Sequence, residues 1–209
     1  VMSLNFKYRA NLMDSDVESA RPLCFTPSYI NAKGSFVDAN TVHIKSAQTE
    51  RDLTARHIVI ATGGRPSIPF VSPLSLTRRS IPGAKELAIT SDDLFRLPHA
   101  PGRTLIVGAS YIALECAGFL NSFGFDTSVM VRSRVLRRFD EQMGDLIQRD
   151  MENRGIHFIE RSLPDRVEKQ SDGKLRVDWT VNNVTKKSDV FDTVLFATGR
   201  RACTDALNL

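Results

Sequence analysis

Cysteine is scarce in this sequence and its few positions are scattered. Cys24, Cys116 and Cys203 are the only three in 209 residues, which excludes a disulfide framework. No two of them have the CxxC spacing of a metal site or a redox switch. No run of eighteen apolar residues occurs, so no membrane-spanning helix is encoded. The first ten residues, VMSLNFKYRA, carry charge with no apolar signal core behind it. An intracellular, cytoplasmic protein is expected, with a mitochondrial form also open. Histidine is sparse too: His43, His57, His99 and His157 stand beside no Cys or Ser in the spacing of a triad or a metal site. They read as structural, and no catalytic or metal-binding residue is assigned. A block of one charge sign is likewise missing. The net charge is +4, but 28 Lys and Arg are interspersed with 24 Asp and Glu, which argues against a nucleic-acid partner. A membrane partner is not expected either.

Apolar residues make up 42% of the chain, enough for the core of one domain and part of another. Strand signals open it at Phe36 to Val37, Val42 to Ile44 and His57 to Ala61, separated by Gly34, Asn40 and the polar stretch Ser46 to Asp52. This pattern predicts a small antiparallel meander. Thr62-Gly63-Gly64-Arg65-Pro66 then lets the backbone approach closely and stops the strand. Pro66 to Pro101, rich in Pro and Ser, reads as an interdomain crossing, with Thr90-Ser91-Asp92-Asp93 as helix N-cap candidates before Leu94 to Leu97.

Leu105 to Ser133 is the densest stretch in information. Thr104 to Val107 predicts a strand, Tyr111 to Phe123 a helix ended by Gly124, and Thr127 to Val131 a second strand, together a βαβ unit. Glu141 to Arg154, with Met143, Leu146, Ile147 and Met151 at helical spacing and Gly155 as its stop, is expected to pack on the sheet. Ile156 to Ile159, Arg166 to Glu168, Leu175 to Val181 and Val190 to Phe196 read as further strands, with Asp172-Gly173 as a hairpin turn. Thr198-Gly199-Arg200, after the last of them, repeats the strand-end pattern of Thr62-Gly63.

In Gly108-Ala109-Ser110-Tyr111-Ile112-Ala113 the first glycine permits a sharp strand-to-helix turn. The amides behind it form an open helix N-terminus suited to a pyrophosphate. Ser110 and Ala113 replace the second and third glycines of the usual fingerprint. Arg132 and Ser133 follow the second strand, where an enzyme using NAD would usually place an acid for the ribose hydroxyl. With Arg134, Arg137 and Arg138 they form a basic group whose planar forks suit the 2′-phosphate of NADPH. Tyr111 and Glu115, one turn apart, share a helix face, from which Tyr111 can stack on a nicotinamide or a flavin.

These residues resemble the NADPH-binding region of the flavoprotein pyridine nucleotide-disulfide oxidoreductases. Within that group they are most similar to the high-molecular-weight, animal-type thioredoxin reductases. The likeness is carried by INAKGSFVDANTV, IVIATGGRPSIP, LIVGASYIALECAGFLNSFGFDTSVMVRSRVLRRFDEQM and FATGRRACTDALNL. It implies an α/β fold: a three-layer FAD/NAD(P)-binding, Rossmann-like domain with an antiparallel β-meander, plus part of a second domain of the same type. The expected boundaries are 1–81 for a partial FAD domain with the crossing segment, 82–200 for the NADPH domain, and 201–209 for the return. The implied chemistry runs from NADPH to FAD to a disulfide to thioredoxin or a related disulfide substrate, in a homodimeric parent enzyme. Ala109 to Glu115 would line the pyrophosphate and nicotinamide, while Arg132, Ser133 and Arg137 would hold the 2′-phosphate. Gly199 and Arg200 would close the site, and Lys33, Gly34, Thr62 and Gly63 would touch FAD. The family's Gly-rich FAD turn, CxxxxC disulfide and dimerisation domain are absent from the 209 residues, so the chain is expected to be a fragment without reductase activity of its own. Glu18 to Ser28 and Phe70 to Ser80 read as loop insertions. Alternative readings are a fragment of a glutathione reductase-like flavoenzyme and a catalytically silent binding or regulatory product.

Overall fold

A computed structural model describes residues 28–68 and 81–209. Apart from Ser28, both expected insertions lie outside the described residues, as does Cys24. The chain forms two compact units, Val1–Ala61 with Thr204–Leu209, and Thr62–Cys203.

In the first unit, β1 (Lys33–Phe36), β2 (Thr41–Lys45) and β3 (Glu50–Thr54) make an antiparallel sheet in the order β1-β2-β3. The return segment docks on β1, where the Phe36 amide donates to the Leu207 carbonyl at 2.7 Å. The third strand lies earlier than expected. His57 to Ala61 forms no strand, and Val59 is 87% exposed. An apolar run becomes a strand only where a neighbour pairs its backbone, and none does so among the described residues. Glu50–Thr54, whose start fell in the expected turn, is held instead by polar cross-strand pairs. Lys45 meets Glu50 at 2.8 Å, and His43 meets Asp52 at 2.7 Å. Asp52 raises the pKa of His43 by this hydrogen bond.

The second unit is built on a parallel sheet in the order β5-β12-β6-β7-β8. Its strands are β5 (Ile89–Thr90), β6 (Thr104–Val107), β7 (Thr127–Met130), β8 (His157–Ile159) and β12 (Thr193–Phe196). The helices are α1 (Ala84–Leu87), α2 (Ser91–Leu94), α3 (Tyr111–Ser122) and α4 (Glu141–Asn153). Strand period 2 sends alternate residues to opposite faces. Ile106, Val129 and Leu195 pack with Ala113, Ala117 and Leu120 of α3 and Met151 of α4. Leu105, Val107, Met130, Val194 and Phe196 pack with Val167, Val177, Trp179 and Phe191. That second layer is a separate antiparallel sheet, β11-β10-β9, of β9 (Ser162–Lys169), β10 (Leu175–Val181) and β11 (Thr185–Phe191). Helices, parallel sheet and meander make the three expected layers.

Two further expectations need correction. Val190 to Phe196 is not one strand, because the chain leaves the meander and enters the parallel sheet at Asp192. Its backbone N–H donates to the Arg103 carbonyl, and its carboxylate accepts from the Arg103 backbone N–H, both at 2.8 Å. The apolar spacing of α4 does not all face inward either. Gly144 and Met151 are buried, while Met143, Leu146 and Ile147 are 40 to 51% exposed. The contact face is set by Gly144, where an added Cβ would stand 3.1 Å from the Val135 carbonyl.

The entry edge of the parallel sheet is closed by polar contacts. Thr193, Thr104 and Thr127 stand side by side at the strand starts, buried, and donate to the carbonyls of Pro101, Gly102 and Phe125. Arg103 lies 4.8 Å over the Phe191 ring. It makes paired bonds to Asp189 at 3.0 and 2.7 Å, and one to Asp126 at 3.1 Å. The Arg103 guanidinium holds the Asp189 carboxyl below its ordinary range. A carboxylate with a depressed folded-state pKa contributes stability above its unfolded value, near 4, and loses it as pH falls through the folded value. Asp189→Asn is therefore expected to lower stability by about 1 kcal/mol at neutral pH. Chemical denaturation across pH should show this difference shrinking below pH ~4.

Candidate functional site

Chain order in the parallel sheet runs β6, β7, β8 in one direction and then jumps to β12 on the other side of β6. The carboxyl ends of β6 and β12 thus flank the crevice where open α/β sheets bind ligands. Gly108 ends β6 with φ +125°, and a Cβ there would lie 2.5 Å from the Ala197 carbonyl oxygen. Only glycine fits the turn. Behind it Ser110 is the N-cap of α3 in extended conformation, makes no side-chain cap bond and is exposed, and no acid occupies the first helical turn. The positive end of the helix, with its free amides, is left for an anion from outside.

A pocket opens at this point, lined by Ser110, Tyr111, Ile112, Ala197, Gly199 and Arg200, with Pro66, Ser91 and Phe196 completing its wall. Tyr111 is 52% exposed at its mouth. The two copies of the Thr-Gly pattern come together beside it. Residues after Gly63 form β4 (Gly64–Pro66), residues after Gly199 form β13 (Arg200–Ala202), and the two pair antiparallel. Arg200 donates to the Gly64 carbonyl at 2.6 Å and faces Asp92 at 3.4 Å, and the Thr198 hydroxyl donates to the Ser67 carbonyl at 2.9 Å.

The basic loop after β7 is fastened to the phosphate turn. The Leu136 amide donates to the Ala109 carbonyl at 2.8 Å, with Leu136 buried and its φ at +46°. Arg132, Ser133, Arg137 and Arg138 are exposed, and among the described residues their side chains bond to no protein group. Arg134 differs, because its guanidinium pairs with Glu141 at 2.6 Å. α4 is capped by Asp140, whose side chain accepts from the Met143 amide at 3.0 Å.

The structure therefore gathers Gly108, Ala109, Ser110, Tyr111, Ile112 and Ala113 at one turn, with Gly199 and Arg200 across the pocket and Arg132, Ser133 and Arg137 on the attached loop. Ala113 is buried against the sheet, and Glu115 is exposed one turn beyond Tyr111 on α3. Lys33 and Gly34 lie on β1 in the first compact unit, whereas Thr62 and Gly63 precede β4 in the second. Sequence reasoning missed Pro66, Ser91, Phe196 and Ala197 as pocket residues. Ser91 and Asp92 carried a cap signal, and at Thr90 the Asp93 carboxylate does accept from both the backbone N–H and the hydroxyl. Of the histidines, His43 sits between Asp52 and Glu50, and His99 contacts the Ala100 carbonyl. No group of three or more metal-ligating side chains occurs among the described residues. No helix among them is long and apolar enough to cross a membrane. Burial pushes the Cys116 thiol up, which makes it a poor nucleophile.

A glycine turn at the switch point of a parallel sheet, an anion-ready helix start and an exposed basic loop are the features of an α/β protein of the dinucleotide-binding class. Residues 27–208 match the family described as pyridine nucleotide-disulphide oxidoreductase, and the chain belongs to it. It is 45% identical over its whole length to a thioredoxin reductase of Emiliania huxleyi, and 43% identical to a mitochondrial thioredoxin reductase of Drosophila melanogaster. A thioredoxin reductase of Plasmodium falciparum is also 43% identical. The chain spans 38, 37 and 35% of the length of these relatives.

Gly108→Ala combines a left-handed φ with a backbone clash. It is expected to cost about 1–3 kcal/mol in a denaturant melt and to abolish the rise in melting temperature that a bound dinucleotide gives.

Proposed function

We propose that the second compact unit binds the nicotinamide cofactor of a flavin-dependent disulfide reductase of the thioredoxin reductase type, and that it takes NADPH in preference to NADH. The observation that carries this reading is the loop after β7. Three exposed arginines and a serine stand there without protein partners among the described residues, on a segment bonded to the phosphate turn, and no acid directly follows β7 to greet a ribose hydroxyl. Arg132, Ser133 and Arg137 would hold the 2′-phosphate, and the amides from Ala109 onward the pyrophosphate. Tyr111, Gly199 and Arg200 would border the nicotinamide.

Bound there, the cofactor supplies a hydride for a flavin. The chain's own contribution is to orient the nicotinamide against Tyr111 and to neutralise the phosphates. FAD is the expected acceptor. The family resemblance assigns Lys33, Gly34, Thr62 and Gly63 to FAD, and Lys33 in the first unit and Thr62 and Gly63 in the second are each exposed. Thioredoxin or a related disulfide would take the electrons in a homodimeric parent, as the names of the relatives and the family resemblance suggest, and a cytoplasmic location goes with this reading. Among the described residues Cys116 and Cys203 are free thiols, and it is the family resemblance that gives the reacting disulfide to the parent enzyme.

Calorimetric titration of the chain with NADPH and NADH tests the proposal. Binding of NADPH at micromolar strength or weaker is expected, with NADH at least about tenfold weaker. Arg137→Ala should weaken NADPH about tenfold to a hundredfold, the effect of one charged hydrogen bond, and leave NADH nearly unchanged. Equal affinities for the two nucleotides in the unmodified chain would overturn the arginine clamp.

A further inference from the structure

The four arginines between Arg132 and Arg138 have two different fates in the folded chain. Arg132, Arg137 and Arg138 are exposed, and their side chains have no protein partner among the described residues. Arg134 is only 34% exposed and is spent on its own loop. One terminal nitrogen meets the Glu141 carboxylate at 2.6 Å, and the other lies 3.3 Å from the Arg137 carbonyl and 3.4 Å from the Phe139 carbonyl. The loop has two further backbone anchors. The Leu136 amide holds the Ala109 carbonyl, and the Phe139 amide donates to the Leu136 carbonyl at 2.7 Å. Arg134 thus ties the backbone of Arg137 to the first residue of α4, while Leu136 ties the same loop to the phosphate turn.

We infer that Arg134 is a positioning residue for cofactor choice: it fixes the backbone from which Arg137 reaches a 2′-phosphate and does not itself touch the nucleotide. The inference rests on the NADPH reading given above. Three physical points support it. A guanidinium is a rigid fork able to serve a carboxylate and two carbonyls at once, which a lysine ammonium on a flexible stem does not reproduce. Pairing with Glu141 neutralises Arg134, so a fourth cation does not add to the repulsion among Arg132, Arg137 and Arg138. Leu136 stands in a left-handed conformation that non-glycine residues adopt at a cost, so the loop between the two anchors depends on its tethers to keep its shape.

The test is a double-mutant cycle read by Kd for NADPH and for NADH, with a thermal melt on every variant. Arg134→Ala is expected to weaken NADPH about three- to tenfold, the scale of one or two lost hydrogen bonds, and to leave NADH within about twofold on the same scale. Arg134→Lys should behave like the alanine variant. Glu141→Gln, which removes one anchor and keeps the helix start, should move NADPH affinity in the same direction by less. In an Arg137→Ala background, Arg134→Ala should add nothing, because its effect passes through Arg137. Additive losses would mean that Arg134 contacts the phosphate directly. Equal losses for both nucleotides would mean a general collapse of the loop, and an unchanged preference would leave Arg134 without a role. Each of these overturns the inference alone. An unmodified chain that does not distinguish NADPH from NADH removes the NADPH reading, and this inference falls with it.

Discussion

At the end of β6 the chain must turn from strand to helix with a second backbone pressed against it, and no side chain fits between them. Gly108 meets this demand, with its Cα facing the Ala197 carbonyl across the gap. The closeness follows from the topology, since β12 is hydrogen-bonded directly to β6 and both strands end at the same level. Because the two ends meet there, the helix start at Ser110, the pocket wall at Gly199 and the ribbon of β4 and β13 converge on one spot.

The rest of the second unit serves to hold that spot still. One face of the parallel sheet is covered by α3 and Met151 of α4, the other by the meander of β9, β10 and β11, and most of the fully buried side chains lie between them. Polar groups concentrate at the opposite edge, where threonines and Arg103 satisfy the strand starts. The carboxyl edge is left with backbone amides and with Arg132, Arg137 and Arg138, which have no protein partner among the described residues. A hydrophobic middle, a self-satisfied entry edge and an unsatisfied exit edge form a gradient of polarity along the strands, and the exit edge is where an anionic ligand finds free donors.

The βαβ unit was legible because its signals are local: an apolar strand, a glycine turn, and a helix stopped by Gly124. The fingerprint residues and the basic loop were legible for the same reason. What sequence could not show depends on partners far away in the chain. His57 to Ala61 looks like a strand by composition, yet no described strand pairs with it. Glu50 to Asp52 falls in an expected turn, yet Glu50–Thr54 is a strand because its backbone pairs with β2, with polar cross-strand pairs alongside. The break at Asp192 needs Arg103, 89 residues away, and the inward face of α4 is chosen by Gly144 rather than by its apolar residues. The pocket wall at Pro66, Ser91 and Ala197 comes from three separate segments. The contrast between Arg134 and its neighbours is likewise a matter of folded geometry, because all four arginines look alike in the string of letters.

The position of β12 also bears on how the protein is made. Synthesis delivers β5 and then β6, β7 and β8 well before Thr193–Phe196, although β12 is the strand that separates β5 from β6. Until it leaves the ribosome, β5 has no partner in this sheet and one side of β6 is an open hydrophobic edge, the kind of surface that captures other unfinished chains. The last central strand to be translated closes the sheet and brings the Ala197 carbonyl up to Gly108, so a nascent chain gains protection from aggregation and the geometry of its pocket in the same late event.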